Sequence, residues 1–219
     1  MQQGAVSVRV WGDFACFTRP EHKVERVSYP VMTPSAARGV LDAIYWHPRI
    51  RWRIDEIRVL KEVRTYSLVR NEVNSVMSPG RAEPFYADHD RAQRHSVCLR
   101  DVDYVIAAQL DQDESDPDPP AKHLEIFRRR VERGQCYHRP YLGTREFAAE
   151  FQPADDAPAP IHWTEDLGLM LWDLGYPGGT HGSDGWRPNA KPPYWPLFFA
   201  ARVEEGVLRV PRQPIGGRP

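Results

Sequence analysis

The residues best suited to chemistry in this sequence are Lys122-His123, which lie just beyond Pro119-Pro120. Proline at the first helical position predicts a helix start, so the pair falls in the first turn of that helix. Unpaired backbone N–H groups and about half a positive charge make such a turn attractive to phosphate. The lysine adds a cation and the histidine exchanges protons near neutral pH, as cleavage of RNA by its own 2′-hydroxyl requires. Taken alone, such a pair is more often part of a helix surface.

Tyr45 is the second candidate, because it lies in the last turn of a predicted first helix, beside Trp46. Its hydroxyl could contact a 2′-hydroxyl or orient a phosphate, and its ring could stack on a base. A tyrosine next to a tryptophan at a helix end is more often a packing anchor. Both interpretations stay open at this point.

The turn at residues 142–147 is a weaker candidate for phosphate binding. Gly143 would let the backbone approach a ligand closely, and Arg145 could hold a phosphate through its fork of donors. A structural turn in which Arg145 pairs with Glu146 is the alternative.

A net charge of −1 conceals basic runs that could bind a nucleic acid. Because salt screens charges beyond about 10 Å, the local face matters more than the average. One run lies on a predicted strand and another on the second predicted helix, and a solvated surface is the alternative for each. The predicted RNA-binding residues are Arg49, Arg51, Arg53, Arg128, Arg129, Arg130, Gly143 and Arg145.

Metal-ligating residues show no recognised spacing along the chain. The acidic run at 111–118 lacks the glycine and distal glutamate of an EF-hand loop, and no His-Glu-x-x-His motif occurs. Cys16, Cys98 and Cys136 are too far apart for a Cys-x-x-Cys zinc site. His181–Asp184 resembles a metal or triad fragment, but a polar loop is the preferred interpretation. We therefore predict no metal site and no cofactor.

Strand and helix patterns indicate the elements that position these residues. Thr33-Pro34 predicts a helix start with Thr33 as N-cap. The predicted strands cover residues 6–11, 50–59 with a bulge, 102–110 and 146–151, and the predicted helices run from 34 to 46 and from 120 towards 134. This βαββαβ order is the ferredoxin-like pattern of an α+β fold, whose open sheet is a common platform for RNA.

The chain is expected to form one main domain with additions. Residues 61–95 predict a β-hairpin insertion, with β-prone pieces at 63–69 and 73–77. Prolines after residue 152 mark a boundary, so we predict a ferredoxin-like domain over 1–152 and a small β-rich extension over 153–219. Strands are expected there at Leu167–Leu174 and Leu197–Val210, around a loop at 175–196 with no assigned role.

Size and composition exclude several classes of protein. A chain of 219 residues with 41% hydrophobic and 27% charged residues is typical of a globular protein with a single good core. It has no apolar run of about 18 residues, so no membrane span is expected. The first five residues lack the features of a signal peptide, which favours a cytoplasmic location.

Eight segments, in matching order over nearly the whole chain, resemble the CRISPR-associated Cas5 proteins, specifically the type I-C form of the Dvulg subtype. Family members often have lysine at position 47, where this chain has His47, and residues 175–196 match no part of the family. The matching segments are Val10–Thr18, Val27–Gly39, Ala43–Pro48, Arg70–Val73, Leu99–Tyr104, Lys122–Arg130, Leu142–Phe147 and Pro196–Phe199.

The resemblance implies a RAMP-type ferredoxin-like domain with a small C-terminal sheet. It implies an endoribonuclease that cuts CRISPR repeat RNA 3′ of the repeat hairpin without metal and leaves a 2′,3′-cyclic phosphate. The family's catalytic set of tyrosine, lysine and histidine falls on Tyr45, Lys122 and His123. The implied partners are repeat RNA and mature crRNA, whose 5′ handle is retained, and the backbone and large subunits of Cascade. Contact with target DNA is left open.

Two other functions remain as alternatives. A non-catalytic scaffold that grips the 5′ handle would use the same face and fits the resemblance equally well. A metal-dependent nuclease or deaminase fits poorly, because the sequence lacks an evident ligand set.

Overall fold

The computed structural model describes residues 4–22, 24–75, 80, 86–175 and 195–215. His181–Asp184, most of the 175–196 loop and the end of the β-prone piece 73–77 lie outside these residues. The described helices are α1 (Pro34–Ile44) and α2 (Pro120–Glu132), with one 3-10 turn at Ala87–His89. The described strands are β1 (Ala5–Ala15), β2 (Arg26–Val27), β3 (Ile50–Val59), β4 (Thr65–Val73), β5 (Arg91–Gln112), β6 (Glu150–Pro153), β7 (Glu165–Gly175), β8 (Trp195–Glu204) and β9 (Val207–Arg209).

The central sheet has the strand order of a ferredoxin-like fold. β6, β1, β5 and β3 lie side by side and antiparallel, so the fourth strand of the βαββαβ unit pairs with the first and the second with the third. The predicted bulge in β3 is present as a register shift between Ile54 and Glu56. α1 packs on β3, α2 packs on β1, β5 and β6, and the helices contact each other. The predicted α+β ferredoxin-like fold is confirmed.

The core between helices and sheet fixes the start of α2. Val6, Val8 and Val10 of β1 are buried in alternation, as their spacing predicts. On α2, Phe127 packs against Trp52 of β3 with ring centroids 4.5 Å apart. Burying each side chain of this size contributes about 1.5–3 kcal/mol, so these contacts hold the helix firmly on the sheet.

Both helices begin and end close to the predicted residues. Thr33 caps α1, because its Oγ1 accepts a hydrogen bond of 3.3 Å from Ala36 N. α1 ends at Ile44 rather than near residue 46, since Tyr45 already has an extended backbone with φ −148° and ψ 115°. α2 ends just before Gly134, whose φ of +61° fits the predicted glycine stop.

The strand predicted at 146–151 is wrong at its start, because β6 begins only at Glu150. Phe147 N donates to Thr144 O at 3.0 Å, and Leu142 N donates to Phe147 O at 2.8 Å. These bonds close a turn over the first predicted residues, so the chain reaches the edge of β1 later than expected.

The single strand predicted over Leu197–Val210 is also wrong, since the structure has the hairpin β8–β9 there. Glu205 and Gly206 form its two-residue loop with φ of 48° and 73°. Positive φ at both positions is typical of a type I′ turn, which reverses the chain between two antiparallel strands.

Two additions extend the ferredoxin-like unit. β4 is antiparallel to the first part of β5, with Thr65 opposite Leu99 and Val73 opposite Arg91, so the expected hairpin is present. This pairing makes β5 far longer than the strand predicted at 102–110. β9 bonds to β3, so the C-terminal strands continue the main sheet. The division between residues 152 and 153 stays a prediction. Within the described ranges, neither helix is long and apolar enough to cross a membrane.

Candidate active site

Three side chains form a continuous hydrogen-bonded row at the start of α2, two from its first turn and the preceding loop and one from the end of α1. The Tyr45 hydroxyl lies 2.8 Å from His123 Nδ1, although 78 residues separate the two in sequence. His123 Nε2 in turn lies 3.1 Å from Asp116 Oδ2. The structure therefore joins two of the predicted catalytic residues to a carboxylate that the sequence analysis did not single out.

Tyr45 is held in place by the elements around it. Its N–H donates to Leu41 O at 2.9 Å, and its carbonyl accepts from Trp52 Nε1 at 3.0 Å. The guanidinium of Arg130 lies 5.1 Å over its ring. Burial raises the pKa of Tyr45 above its ordinary value although Arg130 acts in the opposite direction, so the hydroxyl keeps its proton near neutral pH.

His123 and Lys122 are adjacent in α2 but differ in environment. His123 exposes only 1% of its surface, because it shares the buried face of α2 with Phe127. The Lys122 side chain is 53% exposed, and its Nζ lies 2.8 Å from Asp118 Oδ2. This carboxylate raises the pKa of Lys122, so the ammonium stays charged. The first turn of α2 therefore buries His123 and exposes Lys122, and the catalytic roles of both stay predictions.

Asp116 is fixed by the loop between β5 and α2. Asp118 N donates to Asp116 Oδ1 at 3.1 Å, and Arg49 Nη1 donates to Ser115 O at 2.6 Å. Burial raises the pKa of Asp116, but hydrogen bonds from the Asp118 backbone and the Gln112 side chain outweigh this, and the pKa lies below its ordinary value. The carboxylate is therefore ionised, although its side chain is only 1% exposed.

The ionised carboxylate determines where the protons lie. Because it can only accept, His123 Nε2 carries a proton and donates to Asp116. In the neutral imidazole, Nδ1 then has a lone pair and accepts from the Tyr45 hydroxyl. Both hydrogen bonds of the row are thus donated in the same direction: Tyr45 donates to His123, and His123 donates to Asp116. A proton given to the Tyr45 oxygen can be passed on to His123.

A family model described as CRISPR-associated protein (Cas_Cas5) matches residues 5–211, which is nearly the whole chain. The chain belongs to the CRISPR-associated Cas5 family. The matching model and two relatives are of the Cas5d form, so the predicted type I-C membership is confirmed.

Both relatives are named CRISPR pre-crRNA endoribonuclease Cas5d. The protein from Thermus thermophilus is 46% identical over 214 residues, covering 95% of this chain and 92% of the relative. The protein from Mannheimia succiniciproducens is 41% identical over 226 residues, covering 94% of each.

Two solved structures share the fold of this Cas5 chain at 24% identity. A CRISPR-associated protein has a TM-score of 0.66, with 95% of this chain and 92% of that chain covered. A functionally uncharacterised protein from Streptococcus mutans, SMU1763c, has a TM-score of 0.65, with coverages of 95% and 93%.

Two of the predicted RNA-binding arginines lie at the site of this Cas5 protein. Arg130 covers the Tyr45 ring and donates to Ile44 O at 2.7 Å. Arg49 braces the loop that carries Asp116. Both also hold the protein's own structure, and their contact with RNA stays a prediction.

The other predicted arginines of β3 and α2 lie away from the row. Arg51 lies 3.8 Å from Asp173, and Arg53 lies 3.1 Å from Asp111. Arg128 donates to Ala5 O at 3.2 Å, while Arg129 is exposed on α2. Their binding of RNA remains a prediction, since the structure gives the first three a protein partner.

The Gly143 turn has a structural reason of its own. Gly143 has a φ of +86°, and a Cβ there would meet Cys16 O at 2.0 Å. The close approach that Gly143 permits is thus to the backbone of Cys16 in the same protein. Arg145 is exposed in this turn, but its neighbour Glu146 pairs with Arg70. The turn therefore needs no ligand to explain it, and its predicted role in RNA binding stays open.

Two members of the row and the nearby His47 form a group of three possible metal ligands. Ligand atoms of His47, Asp116 and His123 all lie within 4.8 Å of one another. No recognised spacing motif indicated this group, because His47 lies far from the other two members in the sequence. The sequence showed no sign of this group, and our expectation that RNA cleavage needs no metal stays a prediction.

Proposed function

We propose that this chain is a pre-crRNA endoribonuclease that cuts CRISPR repeat RNA by attack of a 2′-hydroxyl on the neighbouring phosphate. The names of its two relatives support the activity, and both align with more than nine-tenths of the chain. The observation that carries the mechanism is the hydrogen-bonded row that joins Tyr45, His123 and Asp116, and its direction is inferred from the ionised carboxylate.

In the first step, the 2′-hydroxyl gives its proton to the Tyr45 oxygen while Tyr45 gives its own to His123 Nδ1. The 2′-oxygen attacks phosphorus, the bond to the 5′-oxygen breaks, and a 2′,3′-cyclic phosphate forms. The departing 5′-oxygen takes a proton from water, and the protonated His123 then returns its proton to solvent. His123 is the final base, and ionised Asp116 stabilises the imidazolium. Tyr45 is the group proposed to meet the substrate, because it is 8% exposed against 1% for His123, whose ring nitrogens are both engaged.

Lys122 supplies the positive charge for the phosphorane. It is the exposed cation next to His123, and its raised pKa keeps it protonated. We propose that the scissile phosphate replaces Asp118 as the partner of the ammonium. Electrostatic stabilisation of this kind commonly gives about 10²–10³ in rate. With base and cation both provided by side chains, the reaction is proposed to proceed without a metal ion.

After cleavage, the protein is proposed to keep the 5′ handle of the crRNA and to assemble with the backbone and large subunits of a type I-C Cascade. Arg128 and Arg129, the exposed arginines of α2, are proposed to supply charge for this binding. We place the activity in the cytoplasm, where precursor transcripts are made.

Incubation of the purified protein with its cognate repeat RNA in excess EDTA should give cleavage at one bond. The 5′ fragment should end in a 2′,3′-cyclic phosphate, which mass spectrometry distinguishes from a 3′-phosphate by the mass of one water. Tight binding of an RNA that stays uncut would identify the non-catalytic scaffold instead. Cleavage that appears only when metal is restored would contradict the proposed chemistry.

Asp116→Asn should slow cleavage roughly tenfold or more, because an amide does not stabilise the imidazolium and no longer fixes which nitrogen carries the proton. RNA affinity should change little, since the Asp116 side chain is buried. Single-turnover rates at saturating protein, together with a filter-binding Kd, separate the two effects. Glu114→Gln removes an exposed carboxylate from the same loop and is the matched control. Equal rates for the two variants would remove Asp116 from the mechanism.

A further inference from the structure

We infer that His47, Asp116 and His123 form a binding site for Zn²⁺, and that the bound ion switches off RNA cleavage. The site is a regulatory one, and its effect on cleavage rests on the function proposed above. Binding of the ion, in contrast, depends only on the three side chains.

The distances fit a zinc ion with little rearrangement. Asp116 Oδ2 lies 3.1 Å from His123 Nε2 and 3.5 Å from His47 Nδ1. Tetrahedral Zn²⁺, with bonds of about 2.0–2.1 Å, separates its ligand atoms by roughly 3.3 Å. The remaining distance, between the ligand nitrogens of His47 and His123, is within 4.8 Å. The His47 side chain is 33% exposed and can turn to shorten it, whereas the other two ligands are buried.

The protonation of His47 also suits a ligand. The backbone N–H of Arg49 makes a weak hydrogen bond of 3.4 Å to His47 Nδ1, so in the neutral ring this nitrogen carries the lone pair. It faces the ionised carboxylate of Asp116 at 3.5 Å. A single cation placed between these two atoms can bind both.

The surroundings supply the outer contacts that metal ligands need. Asp118 N already hydrogen-bonds the Asp116 carboxylate, and Tyr45 holds His123 through its other nitrogen. Such outer contacts orient the ligands of metal sites and strengthen them. Two imidazoles and one carboxylate favour Zn²⁺ over Mg²⁺, which prefers oxygen ligands and keeps its water.

Zinc at His123 Nε2 would reverse the proposed proton path. The ion takes the Nε2 lone pair, so the single proton of the neutral ring moves to Nδ1, and no proton is gained or lost overall. Nδ1 then donates to the Tyr45 oxygen and cannot accept from it. Tyr45 keeps its own proton, the 2′-hydroxyl loses its base, and cleavage stops while the site stays folded.

Zinc binding is tested with the intact protein carrying Cys136→Ser, which removes an exposed thiol that could hold the ion elsewhere. His47→Asn is added to remove one ligand, and His162→Asn is the matched control, because His162 pairs with a single exposed carboxylate of Glu205. Competition with a chromophoric chelator gives the Zn²⁺ affinity, and the visible spectrum of bound Co²⁺ reports the coordination geometry.

The parent and His162→Asn should bind Zn²⁺ alike, and His47→Asn should bind it at least about tenfold more weakly. Zn²⁺ should lower the parent's cleavage rate at least about tenfold relative to its own rate in EDTA, Mg²⁺ should not, and His47→Asn should resist zinc. Unchanged zinc affinity in His47→Asn would overturn the site. Full cleavage by the zinc-loaded parent, or faster cleavage, would overturn its inhibitory role. Absence of cleavage in EDTA would reject the proposed function instead. The zinc affinities of the variants would still show whether the three side chains bind the ion.

Discussion

A repeat RNA with 2′-deoxyribose at the nucleotide just 5′ of the scissile phosphate is expected to stay intact with the wild-type protein. The substitution removes the nucleophile itself, whereas a change in any protein side chain removes only assistance to it. The rate should therefore fall to the uncatalysed level, by at least about 10⁶-fold. The scissile bond is first mapped with all-ribose RNA, and the modified RNA is then compared with it under single-turnover conditions in EDTA.

Two controls make this result specific. An RNA with the deoxynucleotide one position further from the cut should be cleaved at nearly the normal rate. In that RNA the scissile phosphate keeps its adjacent 2′-hydroxyl. Binding of the modified RNA should be unchanged in a mobility-shift experiment, since one hydroxyl contributes little to a contact dominated by phosphates. Cleavage of the modified bond would mean that water or another nucleophile attacks phosphorus, and the role assigned to Tyr45 and His123 would be lost.

The local signals of the sequence were sufficient for the elements that carry the site. Thr33-Pro34 and Pro119-Pro120 predicted both helix starts, and Gly134 predicted the end of α2. Such signals depend on a few neighbouring residues whose backbone preferences are strong. The strand and helix order then gave the ferredoxin-like fold. Prediction of Lys122-His123 as a pair in the first turn of a helix needed nothing else.

The contacts within the site could not be predicted in the same way. Asp116 belongs to a run of carboxylates, and nothing in that run distinguishes it from Glu114, which is exposed. Only the three-dimensional path of the loop turns one of these side chains inward to His123. Of these features, the burial of His123 is the one that the sequence comes closest to predicting. His123 lies four residues before Phe127, so the two side chains fall on the same apolar face of the helix.

Burial changes what the catalytic residues can be expected to do. An exposed histidine at a helix start would meet the RNA directly and could serve as either acid or base. His123 instead has both nitrogens engaged inside the protein, so it can act only through Tyr45. Lys122 is the residue that faces solvent, and its raised pKa makes it a source of charge more than of protons. The two adjacent residues are therefore expected to respond differently to substitution.

His123→Ala is expected to reduce the cleavage rate by about 10²–10⁴-fold, the usual contribution of a general base. RNA binding should be retained, because the imidazole is buried and contributes no charge to the surface. The measurement is the single-turnover rate in EDTA at saturating protein. His138→Ala removes an exposed histidine close to α2 and should cleave at the wild-type rate.

Loss of His123 also removes the hydrogen bond to Asp116 Oδ2, which costs about 1–3 kcal/mol and could unfold the protein. Tyr45→Phe separates chemistry from stability, since it removes one oxygen and keeps the ring beneath Arg130. It should fold normally by circular dichroism and still lose about 10²-fold or more in rate, because without the hydroxyl no proton reaches His123. A folded Tyr45→Phe protein that cleaves at the wild-type rate would show that the 2′-hydroxyl loses its proton by another route. The hydrogen bond between Tyr45 and His123 would then serve only to hold the end of α1 against α2.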